Sequence, residues 1–303
     1  MPLVPVLHLL LALGCAPLLV SIVRRTKALV AGRTGQPLLQ PYRDLWKLLQ
    51  KGAVYSRTTT WVFRAGPVVG LAAVLTALLV MPFGGARALV AFPGDFLFFA
   101  YLLGLLRFFT VLAALDTGSS FEGMGASREV TFSALAEPAL FLGLAVIARQ
   151  TDSLSLSTML SGVTAEMWRQ YGPALVLVSI GFMIVFLTEN ARIPVDDPTT
   201  HLELTMIHEV MVLDHSGPDL AYITYGSALK LWILGALLVG ILAPVRSGSL
   251  WLDSGVACAA MIGVAIVTGL IESSMARLRL LYVPQLLVGA GVLSALALML
   301  VLR

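Results

Sequence analysis

Apolar residues in this chain do not alternate with polar ones at a helical or strand period. They run almost unbroken for about 17 to 23 residues at a time, the length a helix needs to cross a hydrocarbon core. Eight such runs fall at 3–23, 66–82, 96–115, 130–148, 173–188, 226–244, 254–271 and 281–302. The pattern predicts an all-α polytopic membrane protein, a single membrane domain over 1–303 with eight transmembrane helices. The segment 41–51 breaks the pattern in an informative way. Leu45, Trp46, Leu48 and Leu49 share one flank of a helix, while Arg43, Lys47 and Lys51 align at i, i+4 and i+8. That arrangement predicts a short amphipathic helix on the membrane surface, inside the first loop.

Composition removes the soluble alternative. Hydrophobic residues make up 58% of the chain, charged residues 12%, and mean hydropathy is +0.91, against roughly 25% charged in a soluble domain. The net charge of +3 does not point to nucleic acid, because nine of the 20 basic residues fall between Arg24 and Arg64. Loops rich in Lys and Arg stay on the cytoplasmic side, so the segment 24–64 is expected inside and both termini outside. The first run has no basic residue before it, and Arg24, Arg25 and Lys27 follow it, which is the wrong polarity for a secretory signal. It is expected to be a retained helix. Cys15 and Cys258 both lie in apolar runs without a Cys-x-x-Cys or Cys/His pairing, so this chain is expected to hold no iron–sulfur, zinc or other redox centre of its own.

Charges inside the apolar runs are costly, about 2.5 to 3.5 kcal/mol each even on lenient insertion scales, and therefore mark function. Arg107 sits mid-run, and Asp116 nine residues on is its expected ion-pair partner. Glu129, Ser133 and Glu137 follow at i, i+4 and i+8, each about 6 Å above the last along a helix. Such a ladder of titratable groups can pass protons. The acidic loop 189–225 carries Glu189, Arg192, Asp196, Asp197, His201, Glu203, His208, Glu209, Asp214, His215 and Asp219. His208-Glu209 lacks the second histidine of a zinc helix. His201 and His208, with imidazole titrating near neutrality, are candidate relays together with Glu209 and with Glu272 at the end of the seventh run. No phosphate-binding glycine loop and no Ser/His/Asp arrangement is present in the sequence, so autonomous bond-making catalysis is not expected.

Six segments together resemble one family: Leu39-Gln40-Pro41-Tyr42-Arg43-Asp44-Leu45-Trp46-Lys47-Leu48, Leu115-Asp116-Thr117-Gly118-Ser119, Gly125-Ala126-Ser127-Arg128-Glu129, Glu137-Pro138, Ile193-Pro194-Val195-Asp196 and Ser274-Met275-Ala276-Arg277-Leu278. They look like the eight-helix membrane subunit of formate hydrogenlyase and other energy-converting NiFe hydrogenases, homologous to subunit 1 of respiratory complex I. The resemblance implies a membrane anchor and coupling subunit in a bacterial or archaeal inner membrane. Its partners would be a hydrophilic arm carrying iron–sulfur clusters and a NiFe or quinone-reducing centre, and antiporter-like membrane subunits. Carried over residue by residue, the proton path would comprise Glu129, Glu137, Glu189, Asp196, Glu203 and Asp214. Where relatives have Glu-Tyr-Ser-Gly, this chain has Asp214-His215-Ser216-Gly217, so histidine stands among the carboxylates.

Two other functions are compatible with the pattern. A secondary transporter would carry inverted repeats, and the first and second sets of four runs show no convincing match. A purely structural anchor would tolerate amides in place of its buried acids.

Overall fold

The computed structural model describes residues 3–196 and 206–303; the expectations for Asp197, His201 and Glu203 lie outside them. The helices are α1 (Leu3–Val30), α2 (Gln40–Leu49), α3 (Trp61–Val80), α4 (Asp95–Asp116), α5 (Ser120–Thr151), α6 (Leu156–Gly162), α7 (Ala165–Glu189), α8 (Gly217–Leu242), α9 (Leu250–Ser274) and α10 (Val283–Leu302). Two single-turn 3-10 segments, Glu209–Val212 and Leu280–Tyr282, precede α8 and α10. Eight of the helices are long and apolar enough to cross a membrane, as the apolar runs predict. The surface helix expected at 41–51 is α2.

The centre of the bundle is α8. In its most apolar stretch 72% of residues are buried, against 22% in α4 and in α10, so α8 is enclosed while those two present broad apolar faces outward. α3 packs against α4 and α8, α1 against α8 and α9, and α10 lies along α5 and α7. In hydrocarbon every backbone group needs a partner inside the protein, and Pro17 within α1 leaves the Leu13 carbonyl without its helical donor. The Tyr225 hydroxyl on α8 donates to that carbonyl at 2.8 Å, and Tyr42 of α2 donates to the next one, of Gly14. The surface helix is thereby tied to the interior of α1.

The helices run past the apolar runs that announce them. α1 continues to Val30, so the first loop begins later than residue 24, and α5 begins at Ser120 rather than near residue 130. Most of the segment 116–129, expected to be a loop, is therefore helix. It is helical because it packs on protein rather than lipid. An added Cβ at Gly125 would lie 2.3 Å from Val210 Cγ1 and 2.9 Å from the Ile207 carbonyl, so the glycine lets the chain before α8 lie directly on α5.

Candidate functional site: an arginine among three carboxylates

Four helices bring charge to one point. Arg107, 11% exposed on α4, bonds Glu137 of α5 through Nη1 at 2.5 Å and Glu189 of α7 through Nη2, and its Nε lies 3.6 Å from Glu129 of α5. Lys230 on α8 completes the group, with Nζ 3.3 Å from the second oxygen of Glu189. The ladder spacing on α5 does place Glu129 and Glu137 on one side. What joins them is the guanidinium and not Ser133, whose hydroxyl is spent on the Val130 carbonyl at 3.1 Å.

Asp116 is not the partner of Arg107, contrary to the expectation from sequence. Nine residues along a helix is two and a half turns, which puts the two side chains about 13 Å apart along the axis and on opposite faces of α4. Asp116 instead caps α3. Its Oδ2 accepts from the amides of Thr60 at 2.7 Å and Phe63 at 3.2 Å, and its carboxylate accepts from the Thr60 hydroxyl at 2.9 Å. A carboxylate there satisfies free amides and complements the positive end of the helix dipole.

A cavity of about 370 Å³ leads to the charged group. Pro17 and Val20 of α1, Leu45 and Leu48 of α2, Gly66 and Gly70 of α3 and Tyr222 and Ser227 of α8 line its walls, while Arg107, Glu129, Glu189 and Lys230 line its polar part. His208, Glu209 and His215 line it from the segment before α8. His208 stands half-buried in the cavity wall, and burial, with Lys230 nearby, lowers its pKa to about 4, so its imidazole is neutral at pH 7. Burial also lowers His215, which stacks on Phe63 with ring centroids 3.9 Å apart and interplanar angle 8°. Glu137 does not line the cavity. Its side chain is 47% exposed, against 7% for Glu189, and it stands on the flank of α5 that carries exposed Ala134 and Val130. The charged group thus runs from the cavity to the side of the bundle.

The remaining candidate residues form separate clusters. Asp196 accepts from the Ile207 and His208 amides at 3.2 and 3.1 Å and pairs with Arg277 at 2.9 Å, which fixes the approach of His208. Glu272 pairs with Arg192 at 3.3 Å and Lys27 at 3.8 Å. Asp214 is exposed; its amide donates to buried Glu122 at 3.4 Å. Among the described residues no group of three or more His, Cys, Asp or Glu is arranged to hold a metal ion.

The pattern that defines the NADH dehydrogenase family matches residues 3–303, the whole described chain. The chain belongs to that family. It is 32% identical over 288 residues to formate hydrogenlyase subunit 4 of Escherichia coli, covering 93% of this chain and 92% of that one. It is 34% identical over 229 residues to hydrogenase-4 component C of the same organism, 75% and 71% covered. A chain of the archaeal membrane-bound sulfane sulfur reductase, a respiratory membrane complex, shares the fold with a TM-score of 0.84 over 99% of this chain and 98% of that one, at 19% identity. The family resemblance read from the motifs thus extends over the full length.

Sequence reasoning did not single out Lys230. A single cation four residues into the apolar run 226–244 was the available signal. It also passed over Glu122, 1% exposed, and gave no separate role to Asp219 of the acidic loop, 7% exposed; each has one carboxylate oxygen lacking a hydrogen-bond partner among the described residues.

Proposed function

We propose that this chain is the membrane coupling subunit of a multisubunit redox-driven proton pump, anchoring a hydrophilic arm and linking it to proton-translocating membrane subunits. The observation that supports this most is the continuity of the Arg107 group from the cavity at Glu129 and Glu189 to the flank at Glu137. Three carboxylates face two cations, so one exchangeable proton balances the group. Arginine keeps its charge at any physiological pH, which leaves the carboxylates to carry the change. A redox event in a docked arm alters charge or hydration at the segment 206–216, and with it the field on Glu189. A one-unit change in a carboxylate's pKa corresponds to about 1.4 kcal/mol of driving force. Asp196, Glu203 and Asp214 deliver protons from the inner side, and His208, held neutral, is an acceptor on the way. A half-exposed Glu137 within a spanning helix calls for a polar cover, and an antiporter-like membrane subunit at α4 and α5 supplies it.

In this reading the arm carries the iron–sulfur clusters and the NiFe centre, the termini face outward and the membrane is a bacterial or archaeal inner membrane. The cavity supports a second version of the same role. Its volume lies within the range of small-molecule sites, and Leu45, Leu48, Arg107 and Lys230 suit the ring and tail of a quinone, which would supply a two-electron acceptor. Metal and quinone analysis of the gently purified complex separates the two versions.

The test of the coupling role is Glu137→Gln in the native complex, assayed in sealed inverted vesicles. Proton uptake is expected to be lost while the arm stays bound and electron transfer in the detergent-released complex persists. Unchanged uptake would falsify the role given to Glu137 and favour a structural anchor.

A further inference from the structure

The stretch 24–64, from the last turns of α1 through α2 to the first turn of α3, holds more positive charge than the rest of the protein balances. Its only acid between residues 24 and 64 is Asp44, which lines the cavity and accepts from Gln40 Nε2 at 2.7 Å. Lys27 is engaged by Glu272 at 3.8 Å, and Arg64 lies 4.3 Å from the centroid of the Tyr55 ring. Arg24, Arg25, Arg33, Arg43, Lys47 and Lys51 form no ion pair among the described residues. Large apolar side chains stand exposed beside them: Trp46 at 65%, Leu39 at 56% and Leu49 at 48%.

The depth of α2 explains how both kinds of side chain can face the same way. Ser21 Oγ donates to the Leu38 carbonyl at 2.7 Å and Tyr42 reaches Gly14, so α2 lies alongside the second half of α1 rather than beyond its end. A helix at that level has its outer face at the boundary between headgroups and acyl chains, where tryptophan and snorkelling cations are both favoured. A protein arm would suit the cations but leave Trp46 and Leu49 at the lipid level uncovered.

We infer that the outer face of α2, with the adjoining end of α1, binds an anionic phospholipid, its phosphate held by Arg43, Lys47 and Lys51 and its chains lying against Trp46 and Leu49. The inner face of the same helix presents Leu45 and Leu48 to the cavity. The bound lipid therefore also holds one wall of the cavity in place.

Trp46 is the reporter. The intact complex is placed in nanodiscs in which one lipid in five is brominated, either phosphatidylglycerol or phosphatidylcholine, and a Trp46→Phe complex is subtracted to isolate its fluorescence. Brominated phosphatidylglycerol is expected to quench Trp46 more strongly than the zwitterionic lipid. The variant Arg43→Gln/Lys47→Gln/Lys51→Gln, altered only at exposed positions, is expected to lose that preference. Its apparent affinity for phosphatidylglycerol should fall on the order of 100-fold, about fivefold per cation removed. Equal quenching by the two lipids in the unaltered complex would overturn the inference. So would quenching by neither, which would show that a protein subunit covers α2.

Discussion

Replacing Arg107 by glutamine removes the one group that, among the described residues, touches Glu129, Glu137 and Glu189 together. The structure sets the size of the effect. Glu137 is half exposed and loses a contact of little net value, since exposed pairs contribute about 0 to 1 kcal/mol. Glu189 keeps Lys230 at 3.3 Å. Glu129, 3.6 Å from Arg107 Nε, has no second salt-bridge partner among the described residues and is left as an uncompensated charge. Losing one partner of a buried pair costs about 3 to 5 kcal/mol, and the retained lysine places this case near 3. Glutamine in place of Glu129 as well removes the orphaned charge, so the double variant should be more stable than the sum of the two single effects by about 1 to 3 kcal/mol, within the usual range for coupled neighbours. The assay is the fraction of complex still assembled after a temperature series in mild detergent, for unaltered protein, Arg107→Gln, Glu129→Gln and the double variant. Additive losses would refute the reasoning, because they would mean that the guanidinium and the carboxylate do not sense each other.

Three further outcomes follow from other contacts. His208 takes up a proton near pH 6.5 when unfolded but only near 4 when folded, so the unfolded state binds more protons between those values and stability falls as pH is lowered through them, by up to about 3 kcal/mol; His208→Gln should flatten melting temperature against pH in that window. Gly125→Ala forces its new methyl against Val210 and the Ile207 carbonyl and should cost about 1 to 3 kcal/mol, read as a lower melting temperature and faster proteolysis within 206–216. Tyr225→Phe leaves the Leu13 carbonyl unsatisfied at about 1 to 3 kcal/mol, and adding Pro17→Ala, which restores the helical amide, should recover most of that loss in the same thermal assay.

The eight spans were legible in the sequence because the thickness of hydrocarbon imposes a length on an apolar run, whatever its neighbours. Their ends were not, because hydropathy reports contact with lipid rather than helicity. Residues 120–129 carry Glu122, Arg128 and Glu129 and are helical because the chain around Ile207 and Val210 covers them. The ladder of Glu129 and Glu137 was legible because it depends on one helix alone. The partner of Arg107 was not: nearness in sequence pointed to Asp116, and the true acceptors come from α5 and α7, 22 to 82 residues away, in a packing arrangement that one helix's pattern does not contain. The part played by Lys230 was not legible for the same reason, since its partner Glu189 lies 41 residues away on α7.

Stability alone does not account for the five charges at the end of the cavity. Exchanging a buried ionic cluster for well-packed apolar side chains is often neutral or stabilising by 1 to 4 kcal/mol. An anchor selected only to hold its shape in lipid gains nothing from Arg107, Glu129, Glu137, Glu189 and Lys230 that leucine and methionine would not supply. The proposed proton-coupling role gives the cluster a use that apolar packing lacks. Its two cations are fixed, its three carboxylates are not, and one of those, Glu189, shares the cavity with His208, whose amide is held by Asp196. In the proposed coupling role, a displacement of that segment would change the surroundings of Glu189, and Arg107, which touches both Glu189 and Glu137, would pass the change to the exposed flank of α5. A variant with all five positions apolar should therefore separate the two roles, folding and assembling with its partners while failing to pump. If that variant pumps, the protons move by a route that does not include these residues.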